Sequence, residues 1–192
     1  MNNTEIERRF LASELRANAE ITGWTLTGYA AVFDSRSEDL GGFTEVIKRG
    51  AFRNRKSDVL ALFNHSNDYV LGRESSGTLK VEEDNHGLKV TILLPDTTTA
   101  KDLYTSVSRG DIRSMSFAFT VNTGGETWSK DSKGKTVRTL TDVELFDVSI
   151  VTVPAYPSTS VNARQLAQKY TDSELDNENA KRHFELDILE LN

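Results

Sequence analysis

The 192-residue chain contains no cysteine, which excludes a disulfide framework and a zinc-thiolate site. A cysteine-free composition suits a reducing compartment. No run of about 18 apolar residues occurs, so no helical membrane span is expected. The opening segment MNNTEIERRF is polar and charged where a secretory signal would be apolar, so none is expected. Basic charge is also lacking. The formal net charge is -6 with no long Lys/Arg cluster, which leaves no electrostatic footprint for DNA or RNA. There is no HExxH or paired-histidine spacing, no glycine-rich phosphate loop and no GxSxG elbow, so neither metal nor cofactor is expected.

What remains is a chain of ordinary globular composition, 37% hydrophobic and 27% charged, of a length that suits one domain with a tail. From Thr22 to Val161 it reads mainly as short strands. Trp24, Leu26, Gly28 and Ala30 alternate with Thr25, Thr27, Tyr29 and Ala31, the period of a strand. Val59 to Phe63 is a compact apolar run ending in Asn64 and His65. Gly77 to Glu82 and Gly87 to Leu94 read as a hairpin across Glu83, Asp84, Asn85 and His86. Met115 to Val121 and Val143 to Val153 supply two more strands, separated by a glycine-containing loop through Gly124, Gly125, Ser129, Asp131 and Gly134 that is expected to be mobile.

Helices are fewer. Thr97 or Thr98 is a suitable cap for a helix carrying Ala100, Leu103, Tyr104 and Val107 on one face, stopped by Gly110. Glu45 to Arg53 reads as a short helix broken at Gly50. After Pro157 the chain turns charged and helix-favouring. The predicted organisation is an N-terminal arm (1–21), a barrel domain (22–163) and a charged helical tail (164–192). Many strands with few helices between them predict a mainly β fold: a closed, mostly antiparallel barrel surrounded by a few helices.

Three histidines limit the chemistry available. His86 falls in the turn DNHG and His183 in the charged tail, both solvent-facing positions. His65 ends an apolar strand on the face of Val59, Ala61 and Phe63, so its ring points toward the core. It is either a core-edge histidine satisfied by a backbone carbonyl or a catalytic base. In RSMSFAF, Met115, Phe117 and Phe119 share one strand face while Ser114, Ser116 and Ala118 share the other. Three small side chains in a row leave space above a strand for a ligand, or simply fit beneath a neighbouring element. A serine hydroxyl needs an adjacent base to act as a nucleophile, and His65 is the one plausible base.

An acid to orient the imidazole would complete the set. In VELFDVSIVTV, apolar on both faces, strict alternation puts Asp147 on the side of Val143, Leu145, Val151 and Val153, with Phe146, Val148 and Ile150 on the other, and an ionised carboxylate there is costly unless paired. Its partner is either a histidine N–H or an arginine such as Arg73 or Arg113. Glu144, nearer the strand end, is the second choice. The residues by themselves reach a Ser–His hydrolase and no further.

Taken in order, GYAAVFDS, RGAF, LFNHSNDYVLGR, DNHGLKVTILLPDT, RGDIRSMSFAF and VELFDVSIVTVPAYPSTSVNAR resemble the prohead (procapsid maturation) serine proteases of tailed bacteriophages. The resemblance runs from Gly28 to Arg164 and rests on joint order and spacing. It implies a barrel similar to that of herpesvirus assembly proteases. It also implies a triad of His65, Ser116 and Asp147, the first two by position in the motifs, and the third as the acid before Val148 and Ser149. The implied substrates are the major capsid protein with its scaffold segment and the protease itself, inside the procapsid in the host cytoplasm; the charged tail, by its change in composition after Pro157, is expected to be either a self-cleaved or a capsid-docking segment. A homodimer is a further implied possibility. The competing readings are an inactive capsid- or scaffold-binding structural protein and a serine hydrolase of small esters or amides. With aromatics at 8%, the aromatic-lined pocket that a small-molecule enzyme usually shows is not evident.

Overall fold

The computed structural model describes residues 5–12, 15–20 and 23–152, together with 168, 172 and 173. Twelve strands and one helix make up the described residues. The strands are β1 (Glu7–Ala12), β2 (Arg16–Glu20), β3 (Gly23–Val32), β4 (Phe43–Ile47), β5 (Leu60–Phe63), β6 (Ser66–Arg73), β7 (Leu79–Glu83), β8 (Gly87–Leu93), β9 (Ser114–Val121), β10 (Glu126–Lys130), β11 (Thr136–Leu140) and β12 (Val143–Val151). The helix, α1, spans Thr98–Ser108, and no helix among the described residues is long and apolar enough to cross a membrane.

Two sheets enclose the core. One has the order β1-β9-β12-β5-β6 and the other β2-β3-β8-β7. From the first, Ala61, Leu71, Met115, Phe117, Phe119, Val148 and Ile150 face Leu26, Leu79, Val81, Leu88, Val90 and Ile92 of the second. Burying each such side chain contributes roughly 1.5–3 kcal/mol, which is why two half-apolar sheets pack rather than stand alone. A third sheet, β10-β11-β4, adjoins them: Leu140 of β11 enters the main cluster and Ile47 of β4 packs against it, while Leu40, Phe43 and Trp128 form a small cluster of their own.

Helix α1 follows the sequence expectation closely. Thr97 caps it, its hydroxyl accepting from the Ala100 N–H at 3.3 Å, and Ala100, Leu103 and Val107 are buried. Tyr104 stacks on Trp24 with ring centroids 5.5 Å apart, and Gly110 takes the left-handed conformation that ends the helix (φ 79°). The chain then leads into β9, so the helix delivers the strand that carries Ser116.

The predicted closed barrel is corrected to three separate sheets. Among the described residues no sheet closes on itself, because β1 and β6 bound the first sheet and β2 and β7 the second. Two register shifts in the β5–β6 pairing, after Ala61 and after Leu62, distort the β6 edge, and β6 passes to β7 through a turn rather than a ladder. The predicted helix over Glu45 to Arg53 is instead the end of β4 followed by turns. β4 is held by parallel pairing with β11, and the Glu83 carboxylate accepts from the Gly50 and Phe52 N–H groups at 3.0 and 2.9 Å. With those donors satisfied and Gly50 left-handed (φ 93°), no helix continues. The loop expected to be mobile between Gly124 and Gly134 contains β10, which pairs with β11 as a hairpin. Of the predicted helical tail only Gln168, Asp172 and Ser173 are described; the rest of it, with His183, lies outside the described residues.

Candidate active site

Register decides which side chains can meet. β9 is flanked by β1 and β12, both antiparallel to it, and Ser116 has Phe10 and Ser149 as its Cα partners. On β9 the odd residues Met115, Phe117 and Phe119 enter the core, so Ser114, Ser116 and Ala118 point to the opposite face.

β12 would send Asp147 into the core if it kept the parity of Val143 and Leu145. A β-bulge between Leu145 and Asp147 changes that parity: Val143 and Leu145 are core residues before it, Val148 and Ile150 after it. The sequence reading that placed Asp147 on the Val143–Leu145 face is corrected by this extra residue. Asp147 and Ser149 therefore share the face of Ser116.

His65 arrives from the far side. It lies beyond β5 in a turn where Asn64 and His65 are both left-handed (φ 52° and 56°), so the expectation that its ring continues the β5 face toward the core is corrected. Asn and His tolerate this region better than most residues. The turn is fastened to the end of β12: the Asn64 N–H donates to Ile150 O at 2.9 Å, and the Thr152 N–H donates to Asn64 Oδ1 at 3.0 Å. The reversal swings the imidazole back over the outer face of the sheet, where Phe10 meets it edge-on at 6.1 Å.

The three predicted side chains come together there. His65 Nε2 stands 2.6 Å from Ser116 Oγ, and His65 Nδ1 stands 2.7 Å from Asp147 Oδ1. Ser116 is fully buried and Asp147 is 8% exposed. An ionised carboxylate only accepts, so the proton between Asp147 and the ring belongs to Nδ1. Nε2 then presents its lone pair to the Ser116 hydroxyl, the tautomer a general base requires.

The alternatives fall elsewhere. Arg73 donates to Asp58 at 2.7 Å rather than to Asp147. Glu144 accepts from the Lys56 and Ser57 N–H groups at 2.8 and 2.6 Å, three residues upstream of Asp147 on β12. Burial opposes ionisation of Glu144, but the Ser57 side chain and these two N–H groups outweigh it and hold its carboxyl below the usual range. His86 sits in the predicted turn, exposed, with its ring edge on Tyr29. Among the described residues no group of three or more His, Cys, Asp or Glu could hold a metal ion.

One member of the constellation was missed by sequence reasoning. Ser149 Oγ donates to Asp147 Oδ1 at 2.7 Å and lies 3.2 Å from His65 Nδ1. The available signal was a hydroxyl two residues after an acid in an otherwise apolar strand.

Comparison with known proteins adds a family. Residues 12–173 match the family described as caudovirus prohead serine protease. The bacteriophage T4 capsid assembly protease is structurally similar over 77% of this chain and 99% of its own, with 8% sequence identity and a TM-score of 0.45. Among curated proteins, no sequence match is found.

Proposed function

The chain belongs to the caudovirus prohead serine protease family, and on that premise we propose that it cuts procapsid proteins with Ser116 as nucleophile, His65 as general base and Asp147 as the carboxylate behind the ring. The observation that carries this reading is the pair of contacts made by one imidazole, 2.6 Å to Ser116 Oγ and 2.7 Å to Asp147 Oδ1.

The chemistry follows from that order. As Ser116 Oγ attacks the scissile carbonyl carbon, its proton passes to His65 Nε2. Asp147 accepts from Nδ1–H throughout and stabilises the imidazolium that forms. The Nε2 proton next goes to the departing amine, which leaves an ester on Ser116. Water, deprotonated by the same nitrogen, releases the acid product and restores the hydroxyl. A general base placed this way contributes about 10²–10⁴-fold.

Membership in a prohead family directs the reading of substrates: the major capsid protein with its scaffold segment, and the protease itself, within the assembling particle in the host cell. We assign the charged segment 164–192 to self-processing and 22–163 to the proteolytic body, on the change in composition after Pro157. Co-expression with the precursor capsid protein tests all of this. Cleavage by the parent chain and none by Ser116→Ala or His65→Ala is expected. Undiminished cleavage by Ser116→Ala removes the nucleophile assignment. For the tail, intact mass is compared between the parent chain and Ser116→Ala: loss of a C-terminal piece in the parent alone is expected, and identical masses exclude self-processing.

A further inference from the structure

We infer that Ser149 is a positioning residue of the same site, one that fixes both the Asp147 carboxylate and the tautomer of His65. The inference rests on the catalytic reading above and extends it to a residue outside the triad.

The argument is one of proton counting. Ser149 Oγ is 2.7 Å from Asp147 Oδ1 and 3.2 Å from His65 Nδ1, while Nδ1 is itself 2.7 Å from the same Oδ1. A hydroxyl has one proton to give, and an ionised carboxylate has none. The Ser149 proton therefore goes to Oδ1, so Oγ turns lone pairs toward Nδ1. A ring nitrogen facing two acceptors is the one that carries hydrogen. Ser149 thus adds a second reason for Nδ1–H and for a free lone pair on Nε2. It also gives Oδ1 a donor besides the ring, which keeps the carboxylate from swinging away as charge on His65 changes.

The sheet makes this placement rigid. Ser149 is the direct Cα partner of Ser116 across the β9–β12 ladder, and both are fully buried. Opposed residues in such a ladder stay about 4.5–5.5 Å apart, so the hydroxyl that steadies the ring is held at a fixed offset from the hydroxyl the ring deprotonates. Ser149 receives no covalent bond in the reaction; it acts through Asp147 and His65.

The test uses the full chain and the precursor capsid protein as substrate. Ser149→Ala removes only one oxygen and creates no clash. It is expected to lower kcat about 10- to 100-fold, the loss of one hydrogen bond to a charged group, with KM little changed and the acid limb of the pH–rate profile displaced. Ser149→Thr, which keeps a hydroxyl, is expected to recover activity that near-isosteric Ser149→Val does not. In an Asp147→Asn background, Ser149→Ala is expected to add little, because the group it steadies is gone. Full kcat with an unmoved acid limb in Ser149→Ala, or an equal loss with and without Asp147, overturns the inference. Ser116→Ala in the same assay separates the two readings: if it still cleaves, the catalytic assignment itself has failed; if it is dead while Ser149→Ala is unimpaired, only the role of Ser149 falls.

Discussion

Strand β1 touches two ionic clusters, one from each face, and they differ in kind. On one face, Phe10 lies against His65 above Ser116, Asp147 and Ser149. On the other, Glu7 and Arg9 join Glu45 of β4, Glu126 of β10 and Arg138 of β11, with Arg138 fully buried. Both clusters set carboxylates against nitrogen donors out of water. In the second, both cations are guanidiniums, which do not release a proton, so the cluster is fixed charge that ties β1 to the third sheet. In the first the donor is an imidazole with one nitrogen facing a carboxylate and the other a hydroxyl, so a proton has somewhere to go. A buried carboxylate identifies a need for a partner; the partner's ability to exchange a proton decides whether the result is a fastening or a reaction centre.

The comparison breaks most visibly at Ser116. Ser116→Ala is expected to lower peptide-bond cleavage on the order of 10⁴–10⁶-fold while leaving the urea unfolding midpoint near that of the parent chain. Arg138→Met should do the reverse. Removing the guanidinium leaves the buried carboxylates of Glu7 and Glu45 sharing Arg9, one positive charge short, which costs about 3–5 kcal/mol. Urea unfolding at pH 7 measures it, and kcat per folded molecule should change little. A loss below about 1 kcal/mol, or a kcat that falls with folding intact, breaks the division between fastening and reaction centre.

Acid sharpens the same division. Burial alone raises the Glu7 pKa, but hydrogen bonds from Arg138 and the charges of Arg9 and Arg138 prevail, and its carboxyl sits below the ordinary value. A group depressed in the folded state contributes stability that is fully present above its unfolded pKa and is lost as pH falls through the folded one. Stability should therefore decline as pH drops below about 5. Glu7→Gln, less stable at neutral pH, should show a shallower decline. Parallel pH curves for the two proteins remove Glu7 from the account.

How much of this was legible in the sequence depended on how far each feature reached along the chain. Local signals were sufficient for α1, since Thr97, the Ala100–Leu103–Val107 face and Gly110 lie within fifteen residues. They were sufficient for the small-residue face of β9 as well. Glu45 to Arg53 read as a helix because nothing nearby reveals that Glu83 takes the N–H groups of Gly50 and Phe52 or that β11 pairs with β4. Strict alternation put Asp147 on the wrong face, because a bulge at Phe146 is set by pairing with β9. His65 was read as a continuation of β5, although two left-handed residues turn it back. Each miss concerns a position fixed by a partner distant in sequence, and this applies to the candidate triad's geometry more than to its membership.

The smallest expected effect concerns that turn, where a structural fastening and the proposed reaction centre meet in one residue. Asn64 supplies two things: a side chain suited to φ 52° and an Oδ1 that accepts from Thr152 N–H. Asn64→Gly keeps the backbone conformation without cost in sterics and deletes only the acceptor. Asn64→Ala deletes the acceptor and keeps a Cβ in the left-handed region without the short polar side chain that lets Asn tolerate it, a conformation that costs an ordinary residue about 1–2 kcal/mol. If the side-chain contact to β12 holds the imidazole at its distance from Ser116, both variants should lose about 3- to 10-fold in kcat, since small displacements of a reacting pair are felt directly. Only Asn64→Ala should lose about 1 kcal/mol or more of stability as well. A glycine variant that cleaves like the parent chain assigns the placement of His65 to the backbone alone, through the Asn64 N–H that donates to Ile150 O. The left-handed pair would then be the feature that brings the proposed base over the proposed nucleophile, and the Asn64 side chain only its conformational licence.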